Sequence, residues 1–304
     1  MSVCNAGVVL QSSLITVCQI SDVPFFPLEF KVVKANCTLF KGRKERLPTK
    51  KMSSRLRNSL AQQFKRPHKG LLGWCVLQWF KYKNEMLNKC GPRLCNIKPD
   101  HKVLEIGFGP GLGIEHALEY VKDGPGKIYG VEVSTYMLDA ASRRLKNPIS
   151  NDKVHLSLAS VIDLPFDTDT FDRVFHCNSY YFWPSLPQSV SELYRVMKPG
   201  ACMVAVLSLD NIRLAKSRGF LKHGDPDPLK YMFALEASGF EDVKFEYFME
   251  GNFKYQAIFA HVHEKPAYHF DEELEDSDSE LAKDEHSEIQ QNIQPSNKKP
   301  SSSQ

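Results

Sequence analysis

The sequence predicts an α/β domain: a doubly wound, mostly parallel sheet of about seven strands with its last strand antiparallel, flanked by disordered N- and C-terminal tails. Three observations carry that expectation. An apolar run meets alternating glycines at Val103-Leu104-Glu105-Ile106-Gly107-Phe108-Gly109-Pro110-Gly111-Leu112-Gly113, and Ile114, Ala117, Leu118 and Val121 follow at helical spacing. Strand-like and helix-like segments then alternate as far as residue 207. Two further strand-like runs, 243–249 and 253–262, are separated only by Glu250-Gly251-Asn252, and so short a link makes them antiparallel if they pair directly.

The glycine run reads as strand, tight loop and helix. Glycines remove side chains where the chain turns sharply and where a ligand approaches the backbone, and the helix behind offers unpaired N–H groups at its start. A second strand, Lys127-Ile128-Tyr129-Gly130-Val131-Glu132-Val133, places an acidic residue about one βαβ step further on. There a carboxylate can accept hydrogen bonds from both ribose hydroxyls, so the pair of features reads as a nucleoside site.

The remaining elements follow in order. The aromatic-rich segment 69–94 has helical character, ends near Gly91-Pro92, and is expected over the ligand cleft or along the sheet edge. Ser134 N-caps a helix that runs on through Ala141. A third strand covers 154–158 and a fourth 172–178; a helix over 188–197 is stopped by Lys198-Pro199-Gly200. A fully buried fifth strand spans 201–207, and a last helix from about Pro228 to Ser238 closes with Gly239. His176 reads as a core or cleft histidine rather than a catalytic base.

Composition bounds the rest. At 304 residues and 42% hydrophobic content, the chain can bury the core of one domain with length to spare. The organisation is therefore a basic, mostly flexible extension over 1–69, a domain over 70–265 and an acidic disordered tail over 266–304. Residues 31–69 carry 13 Lys and Arg against Glu45 alone, whereas 271–304 carry 10 acids against three lysines. The body between is close to neutral, which argues against a nucleic-acid groove built into the fold. The eight cysteines show no C-x-x-C pair and no histidines at metal-ligand spacing, so no metal site is expected and the thiols read as free. No apolar run reaches the roughly 20 residues of a bilayer span. These features suit a cytoplasmic protein, with a mitochondrial presequence as the competing reading of the basic extension. Met52 opens a stretch that looks like an ordinary protein start, so residues 1–51 could be dispensable. Ser277 and Ser279 sit among acids of a solubilising tail.

Four motifs in order resemble class I S-adenosylmethionine-dependent methyltransferases, the type 11 group in particular. They are Val103-Leu104-Glu105-x-Gly107-x-Gly109-x-Gly111, Gly130-Val131-Glu132-x-Ser134-x-x-Met137, Asp163-Leu164-Pro165-Phe166 leading to Phe171-Asp172, and Glu192-Leu193-x-Arg195-Val196-x-Lys198-Pro199-Gly200. The resemblance covers about residues 70–262 and implies a Rossmann-like sheet with S-adenosyl-L-methionine as cofactor. The cofactor-binding residues it implies are Glu105, Gly107, Phe108, Gly109, Gly111, Glu132, Val133, Met137, Ser160, Val161 and Asn178. Glu105 and the glycine backbone would hold the methionine end, Glu132 the ribose and Met137 the adenine, with Asn178 near the sulfonium. Ser160 stands where the family commonly carries an aspartate for the adenine amino group.

The implied activity is methyl transfer to a small-molecule acceptor. A sulfonium already carries its leaving group, so the protein mainly aligns the acceptor and excludes water, and no catalytic base stands out in the sequence. The segment Asn178-Ser179-Tyr180-Tyr181-Phe182-Trp183-Pro184 only loosely resembles the polar-aromatic motif of amino-group methyltransferases, whose prolines it lacks. Its aromatics are read equally as a ligand contact or as a packed loop. Rival readings are a nicotinamide-linked dehydrogenase, which shares the glycine loop and acidic strand end, a non-catalytic binding protein on the same fold, and an RNA or protein methyltransferase served by the basic arm.

Overall fold

The computed structural model describes residues 53–265 apart from His223. The expectations for 1–52 and for the acidic tail, with Met52, Ser277, Ser279, Cys4, Cys18 and Cys37, lie outside the described residues. Among the described residues no helix is long and apolar enough to cross a membrane.

Seven strands form one sheet in the order β3-β2-β1-β4-β5-β7-β6. They are β1 (Lys102–Ile106), β2 (Lys127–Glu132), β3 (Val154–Leu158), β4 (Phe171–Cys177), β5 (Met197–Leu207), β6 (Glu241–Glu250) and β7 (Phe253–His261). The pairs among β1 to β5 are parallel, and β7 runs antiparallel to both β5 and β6. The doubly wound sheet with one reversed strand is therefore as expected. The strand order changes direction at β1, which has β2 on one side and β4 on the other, so their carboxyl ends open a crevice of the kind where open α/β sheets bind ligands.

The central strands are apolar nearly throughout because helices cover both faces. α4 (Leu112–Val121), α5 (Thr135–Arg144), which is followed by the short α6 (Lys146–Ser150), and α3 (Glu85–Leu94) flank one side of the sheet, where Ile114, Ala117, Ile128, Phe175 and Val204 are buried together. On the other side α7 (Leu186–Val196) and α9 (Pro228–Ala237) bury Val190, Leu193, Tyr231 and Leu235 against Val174, Met203 and Ile258. Local chemistry sets the helix starts. Ser134 Oγ accepts from the Met137 amide to cap α5, and Asp227 accepts from Leu229 to cap α9, whose first residue is Pro228.

The structure departs from the sequence expectations in four places. The described part of the basic extension is not flexible chain: α1 (Ser54–Lys65) is a helix that buries Leu60 and Ala61. Its apolar residues Leu56, Leu60, Ala61 and Phe64 fall at helical spacing among the charges, and Leu60 meets Val76 and Phe220 with Phe64, Phe80 and Ala215 around them. The aromatic segment is two helices, α2 (Leu71–Lys83) and α3, and α3 carries Pro92 inside its last turns instead of ending there. β5 begins at Met197, four residues early: Lys198-Pro199-Gly200 ends the helix but continues as strand, with a register shift against β4 between Phe171 and Arg173. Finally, α8 (Leu209–Ser217) follows β5 directly, where no element was expected.

Candidate active site

The loop from β1 to α4 turns through Gly107, Gly109 and Gly111, all at positive φ. At Gly109 (φ +52°) a Cβ would project into open space, with no heavy atom within 4 Å, so the backbone itself lines a void. The Gly109 amide donates to Glu132 Oε2 at 3.0 Å, and Glu132 Oε1 accepts from the Val133 and Ser134 amides at 2.9 Å each. Glycine loop and acidic strand end are thus joined directly. Glu132 is buried; burial raises its pKa, and the three amides and the charge of Arg66 oppose that rise.

Above this pair opens a cavity of about 1030 Å3, at the upper end of the roughly 300–1,000 Å3 that holds a drug-sized ligand. Of the residues expected from the sequence, Gly107, Phe108, Gly109, Glu132, Val133, Met137, Ser160, Val161 and Asn178 line it together. Glu105 and Gly111 are not among its lining residues. Gly111 caps α4 at φ +81° and faces Ala141 and Leu145 of α5 and its C-cap. Glu105 is buried behind the loop, where its carboxylate lies so close to Gly113 that a Cβ there would approach Oε1 to 2.2 Å. Burial first, and then the charge of Glu132, push the Glu105 pKa well above the ordinary carboxyl range, against a hydrogen bond from the Ile114 amide, and its Oε2 has no partner.

The end of β4 supplies the polar corner of the cavity. Asn178 holds a left-handed φ of +50°, which asparagine tolerates better than most residues. Its Nδ2 donates to Asn84 Oδ1 at 3.1 Å, and its Oδ1 accepts from the Ser208 amide at 3.3 Å. Beside it Ser179 Oγ is buried without a partner, and a Cβ on Gly107 would lie 3.3 Å from the Ser179 Cβ. An orphaned hydroxyl, an open backbone cradle and a carboxylate with lone pairs to spare form a donor and acceptor set that fits the methionine and ribose parts of S-adenosylmethionine.

The aromatic run after Asn178 divides between the two roles the sequence offered. Tyr181, Phe182 and Trp183 line the cavity, whereas Tyr180 is stacked on Tyr231 with ring centroids 4.5 Å apart. His176 is fully buried, its Nε2 2.8 Å from the Tyr231 hydroxyl, and burial lowers its pKa to about 3. It is a core histidine. The aromatic segment expected over the cleft does line the cavity, through Trp79, Lys83 and Asn84 in and after α2, and the lining residues that the sequence did not single out include Phe64, Lys65 and Arg66 at the end of α1 and Ile212 in α8. Their signal was present in the helical spacing of the apolar residues in 54–65, which the dense positive charge obscured.

The five cysteines among the described residues are free thiols, and burial pushes the Cys177 pKa up at the cavity wall. Among the described residues no group of three His, Cys, Asp or Glu side chains could hold a metal ion.

Comparison with known proteins agrees with this geometry. Residues 104–205 match the family model described as "Methyltransferase domain". The chain is 27% identical over 167 residues to the uncharacterized methyltransferase YdaC of Bacillus subtilis, covering 54% of this chain and 85% of that one. It is 32% identical over 130 residues to a demethylmenaquinone methyltransferase of Symbiobacterium thermophilum, covering 42% of this chain and about half, 49%, of the relative. A chain in the complex of the Haloferax volcanii Trm112 methyltransferase activator with a methyltransferase superposes with a TM-score of 0.52 at 14% identity, over 62% of this chain and 94% of that chain, which shows a shared fold. In its glycine loop, acidic strand end and reversed terminal strand, the chain has the fold of the class I S-adenosylmethionine-dependent methyltransferases, and residues 104–205 match a methyltransferase domain.

Proposed function

We propose that the chain uses S-adenosyl-L-methionine to methylate a small-molecule acceptor. One observation carries the reading: the Gly109 amide and the Glu132 carboxylate lie 3.0 Å apart under one large cavity. Glu132 would accept from the ribose hydroxyls, its orientation already fixed by three backbone amides. Met137 and Val161 would flank the adenine, with Ser160 accepting from its amino group as an uncharged substitute for the family's aspartate. Gly107, Ser179 and Asn178 would meet the methionine end, and Glu105 would act from behind, fixing the start of α4 through the Ile114 amide.

The cofactor would supply an electrophilic methyl group on sulfur. The protein's share is positioning and exclusion of water, which the α1–α2 roof and the aromatic wall of Tyr181, Phe182 and Trp183 are placed to provide. No histidine or aspartate lines the cavity among the described residues, so the acceptor atom should arrive nucleophilic without a dedicated base. A small acceptor is favoured by the enclosed, mostly apolar lining and by relatives such as the demethylmenaquinone methyltransferase. Residues 70–265, extended to include α1, would form the catalytic domain, and the five free thiols suit a reducing compartment such as the cytoplasm. Thermal unfolding of the full chain with and without millimolar S-adenosylmethionine or S-adenosylhomocysteine tests the cofactor assignment. A rise in melting temperature with both supports it, and no rise with either contradicts it.

A further inference from the structure

We infer that the acceptor is an amphipathic molecule with an anionic head group, its apolar body in the aromatic cavity and its head held by the basic residues Lys65, Arg66 and Lys83. The inference rests on the methyltransferase reading of this cavity and adds the chemical class of the substrate.

Charge around the cavity is unbalanced. Four cationic side chains line it, Lys65, Arg66, Lys83 and Arg218, against one carboxylate, Glu132. Among the described residues no carboxylate pairs with Lys65 or Lys83, and Arg66 has only the charge of Glu132 acting on it; the ion pairs of the domain, such as Arg144 with Glu115 and Arg195 with Glu192, lie elsewhere. S-adenosylmethionine does not correct the imbalance, because its sulfonium and ammonium groups outnumber its carboxylate. An anionic acceptor would bring a counter-charge to Lys65, Arg66 and Lys83 at the rim of the cavity, and a neutral or cationic acceptor would not.

Lys83 shows how such a head would be met. Its Nζ lies 5.3 Å from the centroids of both the Trp79 and Tyr82 rings, so the ammonium is held over aromatic faces at the cavity wall. Lys83 immediately precedes Asn84, the partner of Asn178, which places this cation beside the polar corner of the site. The body of the acceptor would meet Phe64, Phe80, Phe182, Trp183 and Ile212, a surface with hydrogen-bonding capacity only at its edges. Apolar depth with a cationic margin selects a molecule that is greasy at one end and anionic at the other.

The test uses dansyl-undecanoic acid, the phosphate monoester of the corresponding dansyl-undecanol, the methyl ester of the acid and the corresponding primary amine. Each is titrated by fluorescence into the full chain saturated with S-adenosylhomocysteine. The carboxylate or the phosphate should bind at least about tenfold more tightly than ester and amine, as charge-assisted hydrogen bonds require. Whichever of the two binds more tightly identifies the head group. K83Q should reduce that preference severalfold, and K83R should restore it. Equal binding of acid, phosphate, ester and amine, or a preference that K83Q leaves intact, overturns the inference. Because S-adenosylhomocysteine stabilisation is read on the same samples, loss of head-group preference with cofactor binding intact would sink this proposal alone. Absence of cofactor stabilisation would instead sink the methyltransferase reading beneath it.

Discussion

Asn178 Nδ2 donates to Asn84 Oδ1 across 3.1 Å, tying the end of β4 to the junction between α2 and α3. The sheet and the roof of the cavity are thereby joined by one side-chain pair at the polar corner. The Asn178 backbone sits at φ +50° to make this reach, and the same side chain accepts from the Ser208 amide at the start of α8.

Asn178→Ala removes both hydrogen bonds and puts a β-carbon residue without a compensating side chain at a left-handed position. It should destabilise the protein by about 1–3 kcal/mol. Asn178→Gly loses the same hydrogen bonds but relieves the backbone, so it should be the more stable variant by about 1 kcal/mol. Urea unfolding of the two variants checks the order. Both should weaken S-adenosylhomocysteine binding to a similar degree if the Asn178 side chain meets the methionine end as proposed.

Gly113→Ala tests the packing behind the glycine loop. The added Cβ would approach Glu105 Oε1 to 2.2 Å in a fully buried setting, and overpacking of that kind costs about 1–3 kcal/mol. Glu105→Ala in the same chain vacates the space. The double variant should therefore be less destabilised than the sum of the singles by about 1 kcal/mol or more in denaturant unfolding. Simple additivity would show that the two residues do not share this site.

Most of the sheet and the floor of the cavity were legible in the sequence, and the reasons are local. The β1 glycine loop and the β2 acid announce themselves because turn geometry and strand period are properties of adjacent residues. The antiparallel β7 followed from a three-residue link for the same reason. The α1 roof was hidden because Arg55, Arg57 and Lys65 dominate a helix whose buried side is only Leu60 and Ala61, and its partners Val76 and Phe220 lie far along the chain. Glu105 shows the opposite limit. Its motif position marked it for the ligand, and the structure places its carboxylate against Gly113 and outside the cavity lining.

His176 gives a pH dependence. Burial lowers its pKa to about 3, so between that value and the ordinary 6.5 the unfolded chain binds the proton and the folded chain does not. Stability from this group is present above pH 6.5 and is lost as pH falls, by up to about 1.4 kcal/mol per pH unit. From pH 6.5 to pH 5 the native protein should lose about 2 kcal/mol through His176. His176→Phe should cost about 1–3 kcal/mol at pH 7 by leaving the Tyr231 hydroxyl without its nitrogen partner. The gap between the two proteins should close by pH 5 in urea unfolding. A gap independent of pH would mean that folding leaves the His176 pKa unshifted.

The most direct measurement is calorimetric titration of S-adenosylhomocysteine into the native chain and into Glu132→Gln, which keeps the shape of the side chain and removes its charge. The native protein should bind one ligand per chain, and the variant should bind about tenfold to a hundredfold more weakly, the loss expected for hydrogen bonds to a charged acceptor. Absence of binding to the native chain, or equal affinity in the two proteins, would contradict the assignment of Glu132 and the glycine loop as the two halves of one nucleoside site.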